Sequence, residues 1–234
     1  TLNVPLLMGL AHRTLGPGAA LFAGGLLATN LGLVRDAHAA KPDALLTLGI
    51  TVALLAMASL ARRPTRLRAM ACGVAIGLTT GIKYPALMLL APAWLAASLA
   101  SPHRGWRRWV LYHGWWIAFA TVACFVVTSP YLLLNPETRR AVLGVFGSIF
   151  PTLFPSLVPA ALCAVLGGMA PERSWWSGYA YHLLVSFRYG VGVLPTLLLL
   201  PALVWGCLSK RAIGAIAVAW IVVCFAVHGL SPML

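Results

Sequence analysis

Long apolar runs alternate along this chain with short polar interruptions. The first strong run covers about 15–34 and follows the tail of an earlier one at 4–11. The next covers about 43–61 and stops at Arg62-Arg63-Pro64-Thr65-Arg66-Leu67-Arg68. Two short runs, about 69–82 and 85–100, are separated only by Lys83-Tyr84. A basic cluster from Arg104 to Arg108 precedes a run at about 109–128, and Ser209-Lys210-Arg211 joins the last two, about 190–208 and 212–229. A helix needs about 20 apolar residues to cross about 30 Å of hydrocarbon. Each full run therefore predicts a membrane-spanning helix, and the two short runs predict paired short helices turning at Lys83.

Residues 141–169 are also apolar, but Pro151, Pro155 and Pro159 interrupt them. A span there would move Lys210 and Arg211 to the side that holds the acids. The stretch reads better as a re-entrant or surface-lying segment in a large outer loop, 129–189. Trp175, Trp176, Tyr179 and Tyr181 then serve as interfacial anchors, because amphipathic rings favour the headgroup level.

Composition agrees with this pattern. At 61% hydrophobic and 9% charged, with mean hydropathy +0.90, the chain carries more apolar surface than a soluble core can hide. The expected fold is all-α, a polytopic transmembrane helix bundle, and residues 1–234 form one transmembrane helical domain. A formal charge of +13 raises the question of nucleic acid. The basic residues fall in short clusters between apolar runs, however, the pattern of topology determinants at a membrane surface. The reading is therefore membrane, with no nucleic acid partner. The five cysteines lie in apolar stretches without CxxC spacing and read as buried free thiols. The chain starts at Thr1 without Met and stops at Leu234 just after a run, so the expectation is a fragment, the middle of a longer protein.

Charge then orients the spans. Arg13, the Arg62–Arg68 and Arg104–Arg108 clusters, Lys210 and Arg211 share one side, ten basic residues without an acid. The other side carries seven basic residues (Arg35, Lys41, Lys83, Arg139, Arg140, Arg173 and Arg188) and all four acids. The positive-inside rule makes the first side cytoplasmic. The acids, Lys83 and the loop from 129 then face outward, at the plasma (inner) membrane of a bacterium.

The acids mark the candidate chemistry. Asp36 and Asp43 fall in one short segment, read as a loop, Arg35-Asp36-Ala37-His38-Ala39-Ala40-Lys41-Pro42-Asp43. Ionisable groups beside hydrocarbon are costly, and five in nine residues point to function. Paired acids can act as a base, hold an acceptor hydroxyl or bind a divalent metal, although no dedicated metal ligand set is visible. Bland readings stand beside these. Asp43 follows Pro42 where a helix begins and suits the positive end of its dipole. Asp36 and Arg35 can form a solvated pair, and Lys83 can snorkel to the interface. Held at the turn between short helices, Lys83 also suits a lipid phosphate, which its ammonium meets as a point charge. Thr128-Ser129-Pro130-Tyr131 closes the next outward span. No nucleotide-binding loop, HExxH or nucleophile elbow occurs.

In order, Arg13-Thr14-Leu15-Gly16, Arg35-Asp36-Ala37-His38 through Asp43, Gly73-Val74-Ala75-Ile76-Gly77-Leu78-Thr79-Thr80-Gly81-Ile82-Lys83-Tyr84 and Thr128-Ser129-Pro130-Tyr131 resemble the lipid-carrier-dependent glycosyltransferases of the GT-C class. They resemble in particular family 39, which includes protein O-mannosyltransferases and the aminoarabinose transferase of lipid A. The resemblance covers roughly residues 5–135, with a looser fit from Tyr181 to Trp205. It implies an inverting transferase that moves a sugar from a polyprenyl- or dolichyl-phosphate carrier to a lipid, glycan or protein hydroxyl at the outer face. Asp43, with Asp36, would match the family's second acidic position. The principal acid would lie in a first outer loop that this sequence does not contain, so the piece alone is expected to be inactive. Lys83 would match the lysine ending the paired short helices, with Arg35 and Lys41 beside it at the donor phosphate. His38, Tyr84 and Tyr131 are the expected substrate contacts.

Two rival readings stay open. Charged groups with short, interrupted helices also mark transporters and flippase-like carriers, although here no span interior holds an acid. A non-catalytic membrane scaffold subunit could pack through Gly73 and Gly77 as a GxxxG pair.

Overall fold

The computed structural model describes residues 2–39, 41–100, 106–137, 201–202, 204–206, 208 and 212–230. The chain is an all-α membrane protein, and no strand occurs among the described residues. Among the described residues the helices are α1 (Asn3–Leu15), α2 (Pro17–Ala28), α3 (Leu31–His38), α4 (Pro42–Arg62), α5 (Arg66–Ile82), α6 (Leu90–Leu99), α7 (Trp106–Thr128), α8 (Tyr131–Leu134) and α9 (Ala212–Leu230). A 3-10 turn, Tyr84–Leu89, leads into α6. By length and apolarity, Pro42–Arg62 and Trp109–Thr128 can each cross a membrane. The predicted outer segment from 141, its aromatic anchors, and Arg104, Arg139, Arg140, Arg173, Arg188, Lys210 and Arg211 lie outside the described residues.

The run predicted as one span over 15–34 is broken. Gly16, at φ 108°, turns α1 into α2, and Pro17 opens the new helix without a missing hydrogen bond. α2 stops at Ala28, and Asn30 starts α3 by accepting a hydrogen bond from Leu33 N at 2.9 Å. The axis bends by 56° between the two. The predicted loop from Arg35 is thus largely helix, because the Asn30 cap makes Arg35, Asp36 and His38 residues of α3.

α4 and α5 are antiparallel and α5 and α7 parallel. α5 offers α7 a stripe of glycines. A Cβ on Gly77 would come 2.6 Å from the Thr121 carbonyl, and one on Gly81 would come 2.7 Å from Thr128 Oγ1. Thr121 Oγ1 donates to the carbonyls of Ile117 in its own helix and of Gly73 in α5, at 2.8 and 3.1 Å. Close backbone approach and an interhelical hydrogen bond are how helices associate where the solvent is as apolar as the side chains. This face is filled by α7, so Gly73 and Gly77 serve packing within the chain. Met57, Leu60, Ile76, Leu89, Ile117 and Ile216 form the fully buried centre, which ties α9 to the rest.

The charged residues collect at the two ends of this bundle. At one end the arginines act as helix caps. The Arg62 guanidinium donates to the Arg13 carbonyl at the end of α1. Arg68 donates to the carbonyls of Ser59 and Arg63 at the end of α4, at 3.1 and 3.0 Å. Arg66 lies over the Trp116 ring, 3.7 Å from its centroid. At the opposite end, the C-termini of α3 and α5 meet the start of α4, and the end of α7 lies against the end of α5.

Candidate functional site

Asp43 stands in the first turn of α4 and Lys83 in the cap position that ends α5. Each charge suits its helix end, since the dipole is positive at the start and negative at the finish. They also meet: Lys83 Nζ donates to Asp43 Oδ1 at 2.8 Å, across 40 residues of sequence. Their side chains are 49% and 37% exposed, so the pair is open to a ligand.

Asp36 sits in α3 with two cations. Arg35 Nε lies 3.4 Å and Lys41 Nζ 3.5 Å from Asp36 Oδ1, and the Lys41 backbone N–H donates to the Asp36 carbonyl at 2.9 Å. The two carboxylates therefore have separate cation partners. Within these contacts three cations, Arg35, Lys41 and Lys83, face two carboxylates.

The expected substrate contacts are less closely gathered. Tyr84 follows Lys83 directly, and its ring meets Phe125 of α7 edge-on, with centroids 6.0 Å apart. Tyr131 opens α8 beyond α7, is 72% exposed, and makes no side-chain hydrogen bond among the described residues. Thr128 and Ser129, just before it, stand against Gly81 near the end of α5. His38 ends α3 and lines a mainly apolar cavity of about 300 Å³ together with Asn3, Leu27, Leu33, Val34 and Ala44.

The pattern of runs did not single out Asn3. Its Nδ2 donates to the Ala44 carbonyl at 3.0 Å, joining α1 to the turn of α4 that carries Asp43. One polar residue at the start of an apolar run was the only signal in the sequence. Among the described residues, no group of three or more His, Cys, Asp or Glu is placed to hold a metal ion.

Chemically, this end offers cations for a phosphate and carboxylates that can accept a proton or orient a hydroxyl. Asp43 and Lys83 stand at the ends of α4 and α5, which pack against each other. Comparisons with curated proteins and with solved structures give no match. Over residues 1–141, which include every element from α1 to α8, the chain matches the family model of the dolichyl-phosphate-mannose-protein mannosyltransferases, and it belongs to that family.

Proposed function

We propose that the complete protein containing this chain transfers a sugar from a dolichyl- or polyprenyl-phosphate carrier to a hydroxyl of a protein, lipid or glycan acceptor, at the outer face of the membrane. Family membership supplies the reaction class, a glycosyltransferase with a dolichyl-phosphate-linked sugar as donor. The observation that carries the assignment to residues is the 2.8 Å contact between Lys83 and Asp43. An exposed ion pair contributes only about 0–1 kcal/mol to stability. Little is lost when the pair opens, so its charges are available for chemistry.

The carrier phosphate takes the Lys83 ammonium from Asp43, with Arg35 and Lys41 adding to the positive field. That exchange frees the Asp43 carboxylate to accept a hydrogen bond from the acceptor hydroxyl. The acceptor oxygen then attacks the anomeric carbon, and the bond from that carbon to the phosphate oxygen breaks. The electron pair leaves on the phosphate, where fixed cations stabilise the growing charge without reorganising. The acceptor proton passes to carboxylate, with Asp36 and Asp43 the acids at hand. Tyr84, Tyr131 and His38 line the approach of the substrates.

The test is a pair of variants made in the complete protein. Lys83→Met should raise the donor concentration needed for half-maximal rate and leave membrane insertion intact. Asp43→Asn should lower turnover by roughly 100-fold or more, the usual size of a proton-transfer contribution. Unchanged donor dependence in the first and normal turnover in the second would return both residues to a structural role.

A further inference from the structure

The first turn of α4 lacks a side-chain cap of its own. Lys41 occupies the N-cap position and makes no capping hydrogen bond. A lysine side chain only donates, so it cannot accept from the free N–H groups of the turn. Two neighbouring helices hold this turn instead. From α5, Lys83 reaches Asp43 at 2.8 Å. From α1, Asn3 Nδ2 reaches the Ala44 carbonyl at 3.0 Å, across 41 residues of sequence.

Asn3 is 7% exposed, and its Oδ1 is buried without a hydrogen-bond partner among the described residues. One such bond contributes less to stability than a buried, unpaired amide oxygen costs. For the fold alone, a leucine at this position serves as well. The cavity of about 300 Å³ also borders Asn3 and Ala44, so close packing does not fix the turn on that face. The amide is what ties it.

We infer that Asn3 is a positioning residue for Asp43: its amide fixes the first turn of α4 against α1 and so sets the carboxylate opposite Lys83. The inference rests on the role proposed above for Asp43. It does not make Asn3 a catalytic residue, because Asn3 acts on the backbone next to Asp43 and not on the substrates.

The experiment is a double-mutant cycle of Asn3→Leu and Asp43→Asn in the complete protein, assayed with dolichyl-phosphate-linked sugar and a hydroxyl-bearing acceptor peptide. Asn3→Leu alone should lower kcat roughly tenfold to 100-fold, the scale of a small misplacement of a reacting group. Donor KM and melting temperature should hold. In the Asp43→Asn background the same substitution should change kcat by less than about twofold, since coupled residues are not additive. An equal loss of kcat in both backgrounds, or a loss that follows a lower melting temperature, makes Asn3 a structural residue and overturns the inference. If Asp43→Asn is slow and Asn3→Leu turns over normally, the inference falls alone. If Asp43→Asn itself turns over normally, the role of Asp43 falls, and this inference with it.

Discussion

In the reaction proposed above, Asp43 and Lys83 each meet a structural demand and a chemical one. Each sits where its helix dipole favours it, a contribution of about 0.3–1 kcal/mol at an exposed end. Those contributions come from the helices and persist when the pair opens, as the proposed exchange of Lys83 from Asp43 to a carrier phosphate requires. Reversing the pair tests this separation. The double variant Asp43→Lys with Lys83→Asp keeps the attraction and opposes both dipoles. It should melt lower by an amount equivalent to about 1–2 kcal/mol and still insert, while sugar transfer is lost. Recovered transfer in the reversed protein would mean that only the attraction matters. The two members were both legible in the sequence, since each is a charge beside an apolar run. Their contact was not, because 40 residues separate them. Asn3 was illegible for a related reason: a single amide at the edge of an apolar run says nothing about which backbone carbonyl it will find.

At the level of helices, the length of the apolar runs and the charges that bound them predicted α4, α5, α7 and α9 to within a few residues, since an unbroken apolar run with charged ends leaves the chain few alternatives. The prediction failed at 15–34. Asn30 carries enough local capping chemistry to end one helix and start another inside a continuous apolar stretch, and hydropathy does not register it. The glycine stripe of α5 was visible as spacing, but its partner was decided by packing. Its replacement gives a prediction for α5 and α7. Gly77→Leu must displace the Thr121 carbonyl and Cys124, whose Cβ would lie 2.8 Å from the new Cβ. Overpacking of this kind costs about 1–3 kcal/mol, which thermal denaturation in detergent would register as a lower melting temperature. Ala at position 74, whose Val is 41% exposed in α5, should leave it unchanged.

For the whole bundle, the division of charge between two ends is the consequence of greatest reach. Arginines cap helix ends at one end, and Asp36, Asp43 and their cations gather at the other. The positive-inside rule then predicts which end faces outward. Single cysteines at Ala39 and Glu137 in a cysteine-free background should react with an impermeant thiol reagent added outside intact cells, and one at Thr65 should not. All three positions are exposed, so a silent site reports sidedness and not burial. Labelling at 65 alone would invert the protein and end the outer-face reading. The helical membrane class of the protein and the placing of its charges at the ends of apolar runs were set by sequence, because hydropathy and charge act locally and a bilayer leaves helices as the main way to satisfy the backbone. Which carboxylate meets which cation, the break inside the first long run and the tie from Asn3 to Ala44 were decided only by tertiary structure. Those contacts join residues far apart in the chain, and only the packing of α1, α4 and α5 against one another brings them within reach.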